Sequence, residues 1–264
     1  MPIVDVAAAK VAYRVDGRGP GLLLVHGTAG DSETNWNLTV DRLAERWTVV
    51  RPDYSGSGAP EDDGAPLTVA GLARQVVAAA EAAGIVPFHV LGYSLGAVVA
   101  VKAAAEHPDK VRSVVPLGGF VSSADSRFQL QMKFWRTLVD RDREALARHW
   151  VLTGFSPAFL SRLDSQSLEQ IVALNLEGKN WEAIARQIDL DLAIDIGAEA
   201  ARVAAPALVI GCRQDQMVPP THARDLAARI PGATYAELDS GHAAPMEAPD
   251  ALLDLVEPFL QRAG

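Results

Sequence analysis

A chain of 264 residues, 49% hydrophobic and 22% charged, can bury a substantial core and has the balance of a soluble globule. Its net charge of -9 repels nucleic acid and anionic membrane surfaces alike, so neither is expected as a partner. No apolar run is long enough for a bilayer span, Met1-Pro2-Ile3-Val4-Asp5 lacks the regions of a signal peptide, and the lone Cys212 excludes an intramolecular disulfide, so a cytoplasmic location is expected.

Residues 3–15 alternate weakly and end at Asp16-Gly17-Arg18-Gly19-Pro20-Gly21, a hairpin or edge strand closing in a turn. Residues 22–25 are all apolar, as in a strand covered on both faces, and run into His26-Gly27-Thr28-Ala29-Gly30. A helical stretch through Trp36, Val40, Leu43 and Ala44 follows. A strand at 47–51 then ends in Pro52-Asp53-Tyr54-Ser55-Gly56-Ser57-Gly58. Glu61-Asp62-Asp63-Gly64 reads as solvated surface. Thr68 is placed to cap a helix carrying Val69, Leu72, Ala73, Val76, Val77 and Ala80 at helical spacing.

The strongest signal lies at 87–105. A short apolar strand breaks at Gly92-Tyr93-Ser94-Leu95-Gly96 and continues as an alanine- and valine-rich helix up to His107-Pro108. In so tight a turn, side chains two before and two after the serine would collide, hence the glycines. The Ser94 hydroxyl is lifted clear of the backbone at the carboxyl end of the sheet. The Leu95 amide is left free at a helix N-terminus, where an anion is favoured. Ser55-Gly56-Ser57-Gly58 looks similar but lacks the first glycine.

A strand at 111–117 comes next. From 121 to 205 only helical segments follow, broken at Gly154, Ser156-Pro157 and Gly178. Strands return at 207–210 and 234–238, with a helix at 219–230 between them. A last helix starts near Pro245 or Pro249 and reaches Leu260. The alternation demands an α/β fold, a mostly parallel central sheet of about eight strands flanked by helices. Residues 1–120 and 206–264 are expected to form the core. Residues 121–205 form a helical lid inserted after the sixth strand, being too long for a structureless loop. Cys212, at the end of a core strand, is expected to be a packed, inert thiol.

A serine nucleophile needs a base to take its proton and a carboxylate to orient that base. Of the six histidines, His26 precedes the glycines of the first loop, His89 lies inside a strand, His107 closes the helix after Ser94, His149 falls in the lid and His222 starts a helix. His242 directly follows a strand, in Asp239-Ser240-Gly241-His242, at the edge where Ser94 should sit. Asp215 likewise follows the strand at 207–210. Asp239 competes for the carboxylate role but is close to His242 along the chain, so Asp215 is preferred.

The order Ser94, Asp215, His242 resembles the α/β-hydrolase superfamily in its lid-bearing, single-domain form. The resemblance covers nearly the whole chain: His26-Gly27, Asp53 with Gly56 and Gly58, the pattern at 92–96, Asp215 with Val218-Pro219, and Gly241-His242 with Glu247 and Pro249. It implies that Ser94 is the nucleophile, His242 the general base and acid, and Asp215 its orienter. The backbone amides of Thr28 and Leu95 would form the oxyanion hole. No cofactor or metal is implied. His26 would support the oxyanion loop, and Asp53 would tie loop backbone. Serine at the elbow argues against dehalogenase or epoxide hydrolase chemistry, and the lack of a longer glycine run argues against bulk lipid. Where the family often has an aromatic or apolar residue, Thr28 brings a hydroxyl that could donate to substrate or cap its own turn.

In that family the residues after the acid and at the lid hinges approach the substrate, which gives Met217, Val218, Phe120 and Val121 as pocket walls. In the lid, Phe128, Met132 and Trp135, with Leu138 or Val139, make one helical stripe that packs the lid onto the core. Phe134 and Leu130 fall off it and could face the pocket, for which an apolar lining and medium size are expected. Arg127, Lys133, Arg136, Arg141, Arg143 and Arg148 read as a solvated face, and the lid aromatics could also serve a homodimer. The expected function is a serine hydrolase acting through an acyl-enzyme on a carboxylic ester, thioester or lactone of a fairly apolar small molecule. The same triad serves C–C bond hydrolysis, acyl transfer, and elimination or cyclisation of natural-product intermediates, so that alternative stays open. A hydrolase-fold ligand receptor is disfavoured because all three triad residues are present.

Overall fold

The computed structural model describes residues 1–57 and 62–263; Gly58 and Glu61 lie outside them. Strands β1 (Ile3–Val6) and β2 (Ala9–Asp16) form a hairpin. They are followed by β3 (Gly21–Val25), α1 (Val40–Ala44), β4 (Thr48–Asp53), α2 (Val69–Ala82), β5 (Phe88–Tyr93), α3 (Leu95–Glu106) and β6 (Val111–Leu117). A helical insert comes next: α4 (Ser126–Arg141), α5 (Arg143–Gly154), α6 (Pro157–Leu160), α7 (Ser165–Leu174), α8 (Trp181–Asp191) and α9 (Gly197–Ala200). The chain closes with β7 (Leu208–Cys212), α10 (Pro220–Arg229), β8 (Thr234–Leu238), α11 (Ala244–Glu247) and α12 (Pro249–Arg262).

Among the described residues the strands form one sheet in the order β1-β2-β4-β3-β5-β6-β7-β8. β2 runs antiparallel to β1 and β4, and every other pairing is parallel. Parallel strands need helical crossovers on both faces, which explains the all-apolar runs. In β3, Leu23 and Val25 pack against α2 and α3 residues such as Val76 and Val98. Leu22 and Leu24 face the other layer, with Trp36, Leu253 and Val256.

Local chemistry sets the helix ends. Thr68 Oγ1 accepts from the Gly71 amide at 3.0 Å, and Ser156 Oγ from the Phe159 amide at 3.1 Å, with Pro157 opening α6. Before α1 the expected helix through Trp36 is only turns, because the Asp31 carboxylate takes the amides of Glu33 and Thr34 at 2.9 and 2.7 Å. Such an Asx turn competes with helical pairing.

The insert is stitched at its base. The amide and hydroxyl of Ser123 both donate to the Ile194 carbonyl, and the Ile196 amide donates to the Val121 carbonyl. Asp62 differs from the solvated reading of its stretch. Both its carboxylate oxygens accept from one guanidinium nitrogen, Arg186 Nη2 on α8, at 2.9 and 3.0 Å, a charge-assisted contact that holds the loop to the insert. Asp63 beside it is exposed.

Candidate active site

Ser94 sits between β5 and α3 at φ 57 and ψ −120, a conformation that L-residues adopt only under constraint. A Cβ on Gly92 would lie 2.1 Å from the Gly96 carbonyl oxygen, so the elbow itself demands that glycine. A Cβ on Gly96 would instead lie 2.2 Å from the Val25 carbonyl oxygen, so the second glycine answers to the neighbouring strand.

The loops after β7 and β8 bring two further groups to the serine. His242 Nε2 lies 3.0 Å from Ser94 Oγ, and its Nδ1 lies 2.6 Å from Asp215 Oδ2. Asp215 Oδ1 accepts from the amides of Met217 and Val218, each at 2.8 Å. Asp239 does not join them; it accepts from Gln214 at 3.0 Å on the exposed side. Glu247 has a part that its place in the motif did not specify. Its Oε2 accepts from Gly241 N at 3.1 Å and Ser156 N at 2.8 Å, pinning the His242 loop to the start of α6.

Opposite Ser94 lies the loop after β3. Among the described residues the backbone N–H groups of Thr28 and Leu95 have no hydrogen-bond partner, the state expected of donors awaiting an anion. The loop is held from behind. His26 is fully buried and stacks on Tyr54 with ring centroids 3.9 Å apart. Its ring nitrogens lie 2.9 Å from the Gly27 carbonyl and 2.8 Å from Ser57 Oγ. Burial lowers its pKa, which favours the neutral ring. Asp53 accepts from the amide and hydroxyl of Ser32, at 2.6 and 3.0 Å. Ala29, at φ 59, is clamped by the insert: its amide donates to Gln187 at 2.8 Å and its carbonyl accepts from Lys179 at 2.9 Å.

The Thr28 hydroxyl caps no turn of its own. It donates to Asp191 Oδ2 at 2.7 Å, across 163 residues of chain. Asp191, the last residue of α8, is buried, and burial pushes its carboxyl up to about 7 against the opposing hydrogen bond from Thr28. Nothing in the sequence pattern distinguished this acid from the surface carboxylates of the insert.

A cavity of about 20 Å³ lies above Ser94 and His242, room for roughly one water-sized group. This is smaller than the medium pocket expected, and Asp191 makes it less apolar. Thr28, Phe120, Met217 and Val218 line it, together with the α4 stripe of Phe128, Met132 and Trp135. Val121 is buried in the core beside the hinge and is not part of the lining. Phe134 is 46% exposed, with its ring edge-on to His149 at 5.3 Å. The core-facing stripe and the pocket wall are the same face of α4, which leaves Phe134 on the other side. Phe134→Ser should therefore leave kcat and KM as they are and shift stability by no more than about 0.5 kcal/mol, measured by steady-state kinetics and denaturant unfolding.

Cys212 is buried and its thiol is pushed up to about 12, chiefly by burial, so it offers no thiolate at neutral pH. Among the described residues no group of three or more His, Cys, Asp or Glu is placed to hold a metal ion, and no helix is long and apolar enough to cross a membrane.

The family model described as "alpha/beta hydrolase fold" matches residues 20–249. The chain is 49% identical over 257 residues to the pyrrolizixenacetamide deacetylase of Xenorhabdus hominickii, a match covering 97% of each chain. The enol-lactonase from Burkholderia xenovorans LB400 superposes with a TM-score of 0.88 at 26% identity, covering 98% of this chain and 100% of that one. A thermophilic esterase from Thermogutta terrifontis shares the fold, with a TM-score of 0.86 at 19% identity, covering 100% and 99% of the two chains.

Proposed function

The chain belongs to the alpha/beta hydrolase fold family and is a hydrolase, and on that premise we propose that it removes an acetyl group from an acetamide. Ser94 Oγ attacks the acetyl carbonyl as His242 Nε2 takes its proton, with Asp215 holding the imidazole. The oxyanion is met by the N–H groups of Thr28 and Leu95. The imidazolium then protonates the leaving nitrogen, the C–N bond breaks, and the amine departs. Water activated by His242 releases acetate from the acetyl-enzyme.

The observation that carries this reading is the size of the cavity at Ser94. The space there is small, about 20 Å³, and suits a short acyl group better than a long chain. The 49% identical deacetylase supports the same acyl group. The lactonase likeness at 26% identity favours a second reading, ester or lactone cleavage by the same acyl-enzyme, with oxygen in place of nitrogen as leaving atom.

The test is turnover of para-nitroacetanilide beside para-nitrophenyl acetate and para-nitrophenyl octanoate, with intact-mass spectrometry of the enzyme during turnover. Anilide hydrolysis is expected, with acetyl preferred to octanoyl by about 100-fold or more in kcat/KM and one acetyl group trapped on Ser94. Absence of anilide turnover would leave the ester reading. Equal rates on acetyl and octanoyl esters would refute the acyl-size argument. Transfer or C–C chemistry would give an active, labelled serine with no hydrolysis of any of the three.

A further inference from the structure

Asp191 is a carboxyl group with one oxygen accounted for and one not. Oδ2 accepts from Thr28 Oγ1 at 2.7 Å. Oδ1 is buried and has no hydrogen-bond partner among the described residues. No Lys, Arg or His among them forms an ion pair with it. A buried, unpaired carboxylate oxygen is expensive, and its presence calls for a donor supplied from elsewhere. The side chain lines the same small cavity as Ser94 and His242. A substrate held at Ser94 in that cavity therefore lies beside the Asp191 carboxyl group.

An acetamide carries a donor there. Its N–H is one bond from the carbonyl carbon, whereas an ester has only a lone-pair oxygen in that place. Resting on the acetamide reading above, we propose that Asp191 Oδ1 accepts the N–H of the scissile amide and thereby sets the preference of this site for amides over esters. The contact does more than bind. When Ser94 adds to the carbonyl, the nitrogen loses its conjugation and becomes pyramidal. Holding its N–H at Asp191 directs the new lone pair away from the insert and toward the His242 imidazolium, which must protonate it before the C–N bond can break. Asp191 itself neither gains nor loses a proton in the cycle. The hydroxyl of Thr28 fixes the carboxyl plane, so recognition of the nitrogen is tied to the same residue whose amide meets the oxyanion. The burial that raises the Asp191 pKa toward 7 is relieved in part when a substrate N–H arrives, since a donor favours the ionised form.

The experiment measures kcat/KM of wild type and Asp191→Leu on para-nitroacetanilide, its N-methyl derivative and para-nitrophenyl acetate, with fluorophosphonate labelling to report an intact Ser94 site. The ratio of anilide to ester turnover is expected to fall about 10- to 100-fold in Asp191→Leu, the loss typical of a hydrogen bond to a charged group. Wild type should prefer the N–H anilide to the N-methyl one by a similar factor, and the variant should lose that preference. A labelled variant whose anilide-to-ester ratio matches wild type overturns the proposal. If Asp191→Leu fails to label, the wild-type pair decides, and equal turnover of the two anilides overturns it. Wild type that cleaves the ester but neither anilide removes the acetamide reading itself, and this proposal falls with it.

Discussion

Asp215→Asn is expected to lower kcat on an acetamide or acetyl ester about 10⁴-fold with little change in KM. The size of the loss follows from how the carboxylate is committed. Oδ1 already accepts two backbone amides, from Met217 and Val218. In the asparagine variant the carbonyl oxygen must stay with those two donors, because turning the NH₂ group toward them would set donor against donor. The NH₂ is then forced to face His242 Nδ1, which must become an acceptor. The imidazole proton moves to Nε2, and that nitrogen points a hydrogen at Ser94 Oγ where a lone pair is needed. The base is disarmed by tautomer rather than by distance. Nitrogen NMR of the imidazole should report the switched tautomer alongside the kinetics. Asp215→Ala should lose activity and, in addition, about 1–3 kcal/mol of stability, because the same two amides are then buried without a partner. Retention of more than about a tenth of wild-type kcat in the asparagine variant would remove Asp215 from the mechanism and return attention to Asp239.

The legible part of this site is the part governed by strand ends. Ser94, Asp215 and His242 each follow a strand, and in a parallel sheet the carboxyl ends of such strands lie at one edge. Their convergence could therefore be anticipated without knowing any contact. Asp191 could not. It ends a helix of the insert, its partner is 163 residues away, and an acid at a helix end ordinarily reads as solvated. The same gap explains Phe134. Periodicity correctly separates the buried stripe of α4 from its outer face, but it does not say that the surface under the stripe is the pocket rather than plain core. Asp62 differs from its pattern for a related reason, because an acidic loop looks solvated until an arginine from another element, here Arg186, is placed against it. In each case the missing information is a contact between the insert and the core. No local pattern encodes the way those two surfaces meet.

Ser94→Ala and Ser94→Gly should each reduce acetyl hydrolysis by about 10⁴-fold or more and abolish fluorophosphonate labelling, since neither has a nucleophile. Their stabilities should nevertheless differ, in the direction opposite to the usual one. At an ordinary position glycine is the less stable of the two, by about 0.5–1 kcal/mol, because it has more freedom to lose on folding. At φ 57 and ψ −120 the alanine Cβ is held in a region that only glycine enters freely, at a cost of about 1–3 kcal/mol. Both variants lack the Oγ contact to His242, so that loss cancels in the comparison and the backbone strain is isolated. The glycine variant is expected to be the more stable by about 1 kcal/mol, or about 2–4 °C in Tm for a chain of this size. Urea unfolding and calorimetry on the two proteins measure it. An alanine variant more stable than the glycine one by the ordinary margin of about 0.5–1 kcal/mol would mean that the turn carries no strain at Ser94. The serine would then be held out toward the cavity by its neighbours alone, with Gly92 and Gly96 serving only to let the backbones pass.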